Sequence, residues 1–179
     1  MNNVRKMDEN LYWVGVNDRR TALFENIHPI PEGISYNSYL LLDEKTVLLD
    51  TVDSSVCNNF IDNVKHVLGD RKLDYLIINH MEPDHAACIG LVEALYPEVK
   101  IIGNKKTFEL MTKFGFEINE NSIEVKDGDS ISFGEHEFTF LLAPMVHWPE
   151  TMASLDKTTG ILYSADAFGT FGALNGRLF

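Results

Sequence analysis

Four side chains able to ligate a metal, His80, Glu82, Asp84 and His85, fall within six consecutive positions of the run Asn79-His80-Met81-Glu82-Pro83-Asp84-His85. The apolar run at 73–78 precedes it and reads as a buried strand; residues 86–96 follow and read as a helix. The cluster therefore marks a strand-to-helix corner. Side chains two apart in an extended segment point the same way, roughly 6.5–7 Å along the chain. His80 and Glu82 can then converge on one ion, and Asp84 and His85 face a second. Plainer roles exist for single members: Asp84 ahead of a helix is a good N-cap, and a histidine at a strand end is often a hydrogen-bonded structural residue. Four such groups at this spacing favour metal, because crowded carboxylates and imidazoles are hard to satisfy otherwise.

Two later segments repeat the pattern. Residues 138–142 alternate like a strand and run into Ala143-Pro144-Met145-Val146-His147-Trp148-Pro149, placing His147 in a second strand-end loop. Residues 161–164 lead in the same way to Asp166. Each candidate ligand lies where an apolar run stops, which is where an α/β scaffold presents its chemistry.

The remaining trace predicts strands at 11–16, 36–42 and 46–49, the last two joined by a tight Asp43-Glu44-Lys45 hairpin. A helix follows at 54–68, with Asp53 as its cap and Val56, Phe60, Ile61, Val64, Val67 and Leu68 as its apolar stripe. Beyond the ligand corner come a strand at 99–102 and a helix at 105–114, opened by Asn104 and stopped by Gly115. Short strands continue from 123. Alternating strands and helices, then a run of strands, fit a mixed sheet with helices on one face.

Composition sets the outer bounds. With 179 residues, 45% of them hydrophobic, the chain can bury a real core as one domain. A net charge of −12 opposes binding to nucleic acid or an anionic membrane. No run approaches 18 apolar residues and the start has no apolar signal core, so a cytoplasmic protein is expected. Cys57 and Cys88 are too few for a disulfide framework and read as reduced core residues, with packing preferred over ligation for Cys88. His28, His66 and His136 are assigned no metal role. Tyr36, Tyr39, Trp148 and Phe168 are ordinary core aromatics or the walls of a small apolar pocket.

The order His-x-Glu-x-Asp-His, then His147-Trp148-Pro149, then Ser164-Ala165-Asp166-Ala167, resembles the N-terminal metallo-β-lactamase-like domain of flavodiiron proteins, reductases of dioxygen and nitric oxide. Glu32 to Leu40 and Leu48-Leu49-Asp50-Thr51 extend the resemblance over nearly the whole chain. It implies the N-terminal part of an αββα sandwich. It also implies two iron ions: His80, Glu82 and His147 on the first, Asp84 and in some members His85 on the second, and Asp166 bridging ions roughly 3.5–4 Å apart. A further histidine ligand is implied well beyond Asp166, where this sequence has none. The resemblance also implies FMN on a flavodoxin-like domain, a rubredoxin-like electron donor and a head-to-tail homodimer. No flavodoxin-like sequence is visible, and the Gly-rich apolar stretch at 169–179 reads as a cut loop. The expectation is a fragment whose parent is the oxidoreductase.

Zinc hydrolases of the same superfold usually carry histidine where this chain has Glu82. Three carboxylates facing two divalent ions leave a formal core charge of about +1, against about +2 for the hydrolase pattern. Hard oxygen donors mixed with imidazole suit iron that cycles between ferrous and ferric, while zinc offers no redox chemistry. Ligand type alone leaves zinc open in both sites, as it leaves open a hydrolase or a diiron oxygen-binding module.

Overall fold

The computed structural model describes residues 3–175. A mixed seven-stranded sheet forms its centre. In chain order the strands are β1 (Arg5–Lys6), β2 (Leu11–Trp13), β3 (Val16–Asp18), β4 (Leu23–Phe24), β5 (His28–Pro29), β6 (Ile34–Tyr36), β7 (Tyr39–Leu42) and β8 (Thr46–Leu49). Helix α1 (Cys57–Leu68), β9 (Tyr75–Ile77), α2 (Pro83–Ala86), α3 (Ile89–Leu95), β10 (Lys100–Gly103), α4 (Lys105–Lys113) and β11 (Ile123–Glu124) follow. The chain then runs through β12 (Ser130–Ser132), β13 (Glu137–Leu142), β14 (Met152–Asp156) and β15 (Leu162–Tyr163). The central sheet has the order β1-β2-β7-β8-β9-β10-β11, and β12 to β15 form an antiparallel sheet of their own. Strands β8 to β11 pair in parallel, with the helices as crossovers.

Period-2 alternation divides the central sheet between two cores. Leu40, Leu48, Leu76 and Ile101 face Phe60 and Val64 of α1, Ile89 and Val92 of α3, and Met111 of α4. Their neighbours Leu41, Val47, Leu49, Ile77 and Ile102 face Phe138, Phe140 and Met152 of the second sheet. Helices therefore cover one face as expected, and a second sheet stacks on the other.

Two expected strands are each broken. The segment at 11–16 divides into β2 and β3, and that at 36–42 into β6 and β7. The breaks lie side by side, where the Val14 amide donates to the Ser38 carbonyl at 2.9 Å. Gly15 allows this, since a Cβ there would collide with the Tyr36 carbonyl oxygen. The bend sends β3 and β6 into a small separate ladder that carries Tyr36 towards the ligand corner.

The cysteine reading needs correction. Cys57 and Cys88 form a disulfide with Cα atoms 5.9 Å apart. Cys57 opens α1 and Cys88 sits between α2 and α3, so packing of the helices on one sheet face brings residues 31 apart into bonding range. Spacing along the chain carries no signal of that proximity.

Candidate metal centre

The ligand corner is built from the ends of β9, β13 and β15. His80 and Glu82 lie in the loop after β9, Asp84 and His85 in the first turn of α2, His147 between β13 and β14, and Asp166 after β15. Glu82 occupies the N-cap position of α2 but makes no side-chain cap bond, which leaves its carboxylate to face the cluster. Asp84 sits inside the helix and not at its cap, so capping is not its role.

The structure brings all six side chains together in two groups that share Asp166: His80, Glu82, His147 and Asp166, and Asp84, His85 and Asp166. In the first, His80 Nε2 lies 3.1 Å from Glu82 Oε2, 3.3 Å from His147 Nε2 and 3.3 Å from Asp166 Oδ2. His147 Nε2 lies 3.0 Å from Glu82 Oε2 and 3.3 Å from Asp166 Oδ2. Donors about 2.0–2.1 Å from a metal are separated by roughly 2.8–3.4 Å across octahedral and tetrahedral arrangements. The first group has that spacing. In the second, the other Asp166 oxygen, Oδ1, lies 2.9 Å from His85 Nε2, and Asp84 Oδ2 lies 3.8 Å from the same nitrogen.

Charge within the cluster favours a cation. Burial opposes the imidazolium form of His80, but the carboxylates of Asp166, Glu150 and Glu82 outweigh it and push His80 up to about 11. Burial likewise opposes protonated His85, and Asp166 and Asp50 push it up to about 10. Asp166 is held far below the usual carboxylate range: burial raises it, and the two histidines overcome that. Asp84 is raised to about 6, chiefly by burial, and its Oδ1 is buried without a hydrogen-bond partner. Imidazoles that face each other at 3.3 Å across carboxylates, beside an unpartnered carboxylate oxygen, fit a bound cation.

Neighbouring residues that the sequence pattern does not mark complete the site. Glu150 receives His80 Nδ1 on one carboxylate oxygen at 2.7 Å, and Asp50 lies 3.5 Å from His85 Nδ1. Glu25, in the turn between β4 and β5, hydrogen-bonds Glu82, and that contact holds the Glu25 carboxyl above its ordinary value. A cleft of about 610 Å³ opens over the cluster, with Phe24, His28, Tyr36 and Phe171 on its walls. Trp148 packs edge-to-face on His80, ring centroids 5.4 Å apart. Of the other two aromatics read as core residues or pocket walls, one is a core residue and one is neither. Tyr39 packs on Tyr163 in the inter-sheet core, and Phe168 is 93% exposed. His66 is exposed on α1, and His136 bonds Asp156 at 2.7 Å away from the cluster.

The description "ODP family beta lactamase" matches residues 34–178. A nitric oxide reductase of Moorella thermoacetica is 35% identical over 90% of this chain and 41% of its own length. An anaerobic nitric oxide reductase flavorubredoxin of Vibrio vulnificus is 35% identical over 89% of the chain and 33% of its own. Among solved structures, the flavodiiron protein of Giardia intestinalis superposes with a TM-score of 0.91 at 28% identity, covering 99% of this chain and 43% of that one. Rubredoxin oxygen:oxidoreductase of Desulfovibrio gigas gives 0.89 at 33% identity over 98% and 44%. The chain thus spans less than half the length of these relatives. It belongs to the ODP family of β-lactamase-like domains, in the form that flavodiiron proteins carry.

Proposed function

We propose that this chain is the metal-holding domain of an oxidoreductase that reduces nitric oxide to nitrous oxide or dioxygen to water, with two iron ions in the groups that share Asp166. The donor set carries this reading: Glu82, Asp84 and Asp166 supply three carboxylates, and each oxygen of Asp166 faces a different group. His80, Glu82 and His147 serve the first ion, Asp84 and His85 the second. Bound iron would supply two electrons, one from each ion, which is what two nitric oxide molecules need to become nitrous oxide; dioxygen reduced to water would need two more, from the electron carrier. The protein's own work is to hold the pair together through Asp166 and to keep the imidazoles oriented. It also lines the approach with Phe24, Tyr36 and Phe171, whose apolar surfaces suit a small uncharged ligand.

The relatives' names couple this domain type to flavin and rubredoxin. We extend both to this protein: electrons arrive from a rubredoxin-like donor through FMN on a flavodoxin-like domain outside these residues. Head-to-tail pairing of two copies would bring that flavin to the cleft. Met145, Val146 and Phe168, apolar and exposed beside His147 and Asp166, suit such packing.

Protein loaded with ferrous iron under anaerobic conditions and mixed with nitric oxide tests the reading without flavin. We expect one nitrous oxide per pair of ferrous ions oxidised, and none from zinc-loaded protein. Iron that remains ferrous, with no nitrous oxide released, would contradict it.

A further inference from the structure

Glu150 belongs to none of the metal-facing groups, yet its side chain is fully buried against His80. We infer that Glu150 is a positioning residue, whose carboxylate fixes the His80 ring through Nδ1 so that Nε2 is the atom offered to the first metal. The inference rests on the metal reading above.

Four observations carry it. Glu150 Oε1 accepts from the Met81 amide at 2.9 Å and stands 2.7 Å from His80 Nδ1. An ionised carboxylate only accepts, so Nδ1 carries the proton and the Nε2 lone pair is left for a metal. Second, Glu150 Oε2 is buried without a hydrogen-bond partner. A neutral amide would tie down the Met81 N–H at lower cost, so a half-satisfied buried carboxylate is favourable only where it opposes positive charge, as on a metal-bound imidazole.

Third, Glu150 is itself anchored. Asn104 Nδ2 donates to the Glu150 carbonyl at 2.6 Å, while Asn104 Oδ1 caps α4 by accepting from the Lys106 and Thr107 amides. The carboxylate is thereby referenced to a helix end and not to the loop that carries it. Finally, the counterpart in the second group is looser: Asp50 gives Oδ1 to the Asn79 amide at 2.6 Å, and its Oδ2 stands 3.5 Å from His85 Nδ1, beyond a good hydrogen bond.

Zinc-loaded protein, diamagnetic and so visible to NMR, provides the test, with zinc affinity measured by chelator competition and the His80 Nδ1–H read in 15N-edited spectra. Wild-type protein should show a protected Nδ1–H. Glu150→Ala should lose that protection and weaken the first site about 10–100-fold, leaving the second within about threefold. Glu150→Gln keeps an acceptor at Oε1 and should retain the protected proton and most of the affinity. Wild-type affinity and a protected proton in Glu150→Ala would overturn this inference alone, as would a Glu150→Gln that falls as far as the alanine variant. Should Glu150→Ala fail to fold, the Nδ1–H of Glu150→Gln decides: its retention supports the inference and its loss overturns it. Wild-type protein without zinc affinity would sink the metal reading and this inference with it.

Discussion

Asp166 is the residue on which the two groups depend jointly. Its Oδ2 faces His80 and His147 and its Oδ1 faces His85, so Asp166→Asn should weaken both sites, while Glu82→Ala should weaken only the first. Stepwise metal titration separates the outcomes: two affected binding steps for the first variant and one for the second. Equal effects of both variants on both steps would contradict the assignment. The six converging residues were legible in the sequence because their donors follow apolar runs at fixed spacing. Glu150, Asp50 and Glu25 were not, since each meets the cluster only through tertiary folding and none stands in a ligand-like pattern. Phe168 shows the converse. Its aromatic character suggested a core residue or a pocket wall, but the residue is 93% exposed.

At the scale of elements, local signals decided well where one face of a segment is buried. The helix opened by Asn104 follows directly from its capping side chain, and the strand at 46–49, buried on both faces, reads instead from its short apolar run. Local signals failed where the chain bends without losing its apolar character, as at Gly15 and Ser38, because the close backbone approach that forces the bend comes from the partner strand. The Cys57–Cys88 bond is the clearest case of long-range information. It ties the start of α1 to the turn just beyond His85. Closing a loop of 31 residues removes chain entropy worth about 3–4 kcal/mol in the unfolded state. Reduction should therefore lower the thermal midpoint, and Cys57→Ser/Cys88→Ser should match the reduced protein. A midpoint indifferent to reductant, with two free thiols titrating in the unreduced protein, would count against the bond.

For the molecule as a whole, the layered fold does one thing for the chemistry: it places the ends of strands from two sheets at one corner. His80 and Glu82 come from the central sheet, and His147 and Asp166 from the second. The stacking of Phe138, Phe140 and Met152 on Leu49 and Ile77 therefore sets the distance between the two halves of the site. The net charge of −12 fits a protein that attracts cations and repels polyanions. Among the described residues no helix is long and apolar enough to cross a membrane. The central claim is that these two half-sites hold a pair of iron ions. Elemental quantitation of protein purified anaerobically without added metal tests it most directly. The account predicts close to two irons per chain, one for each group; zinc in their place, or no metal at all, would contradict it.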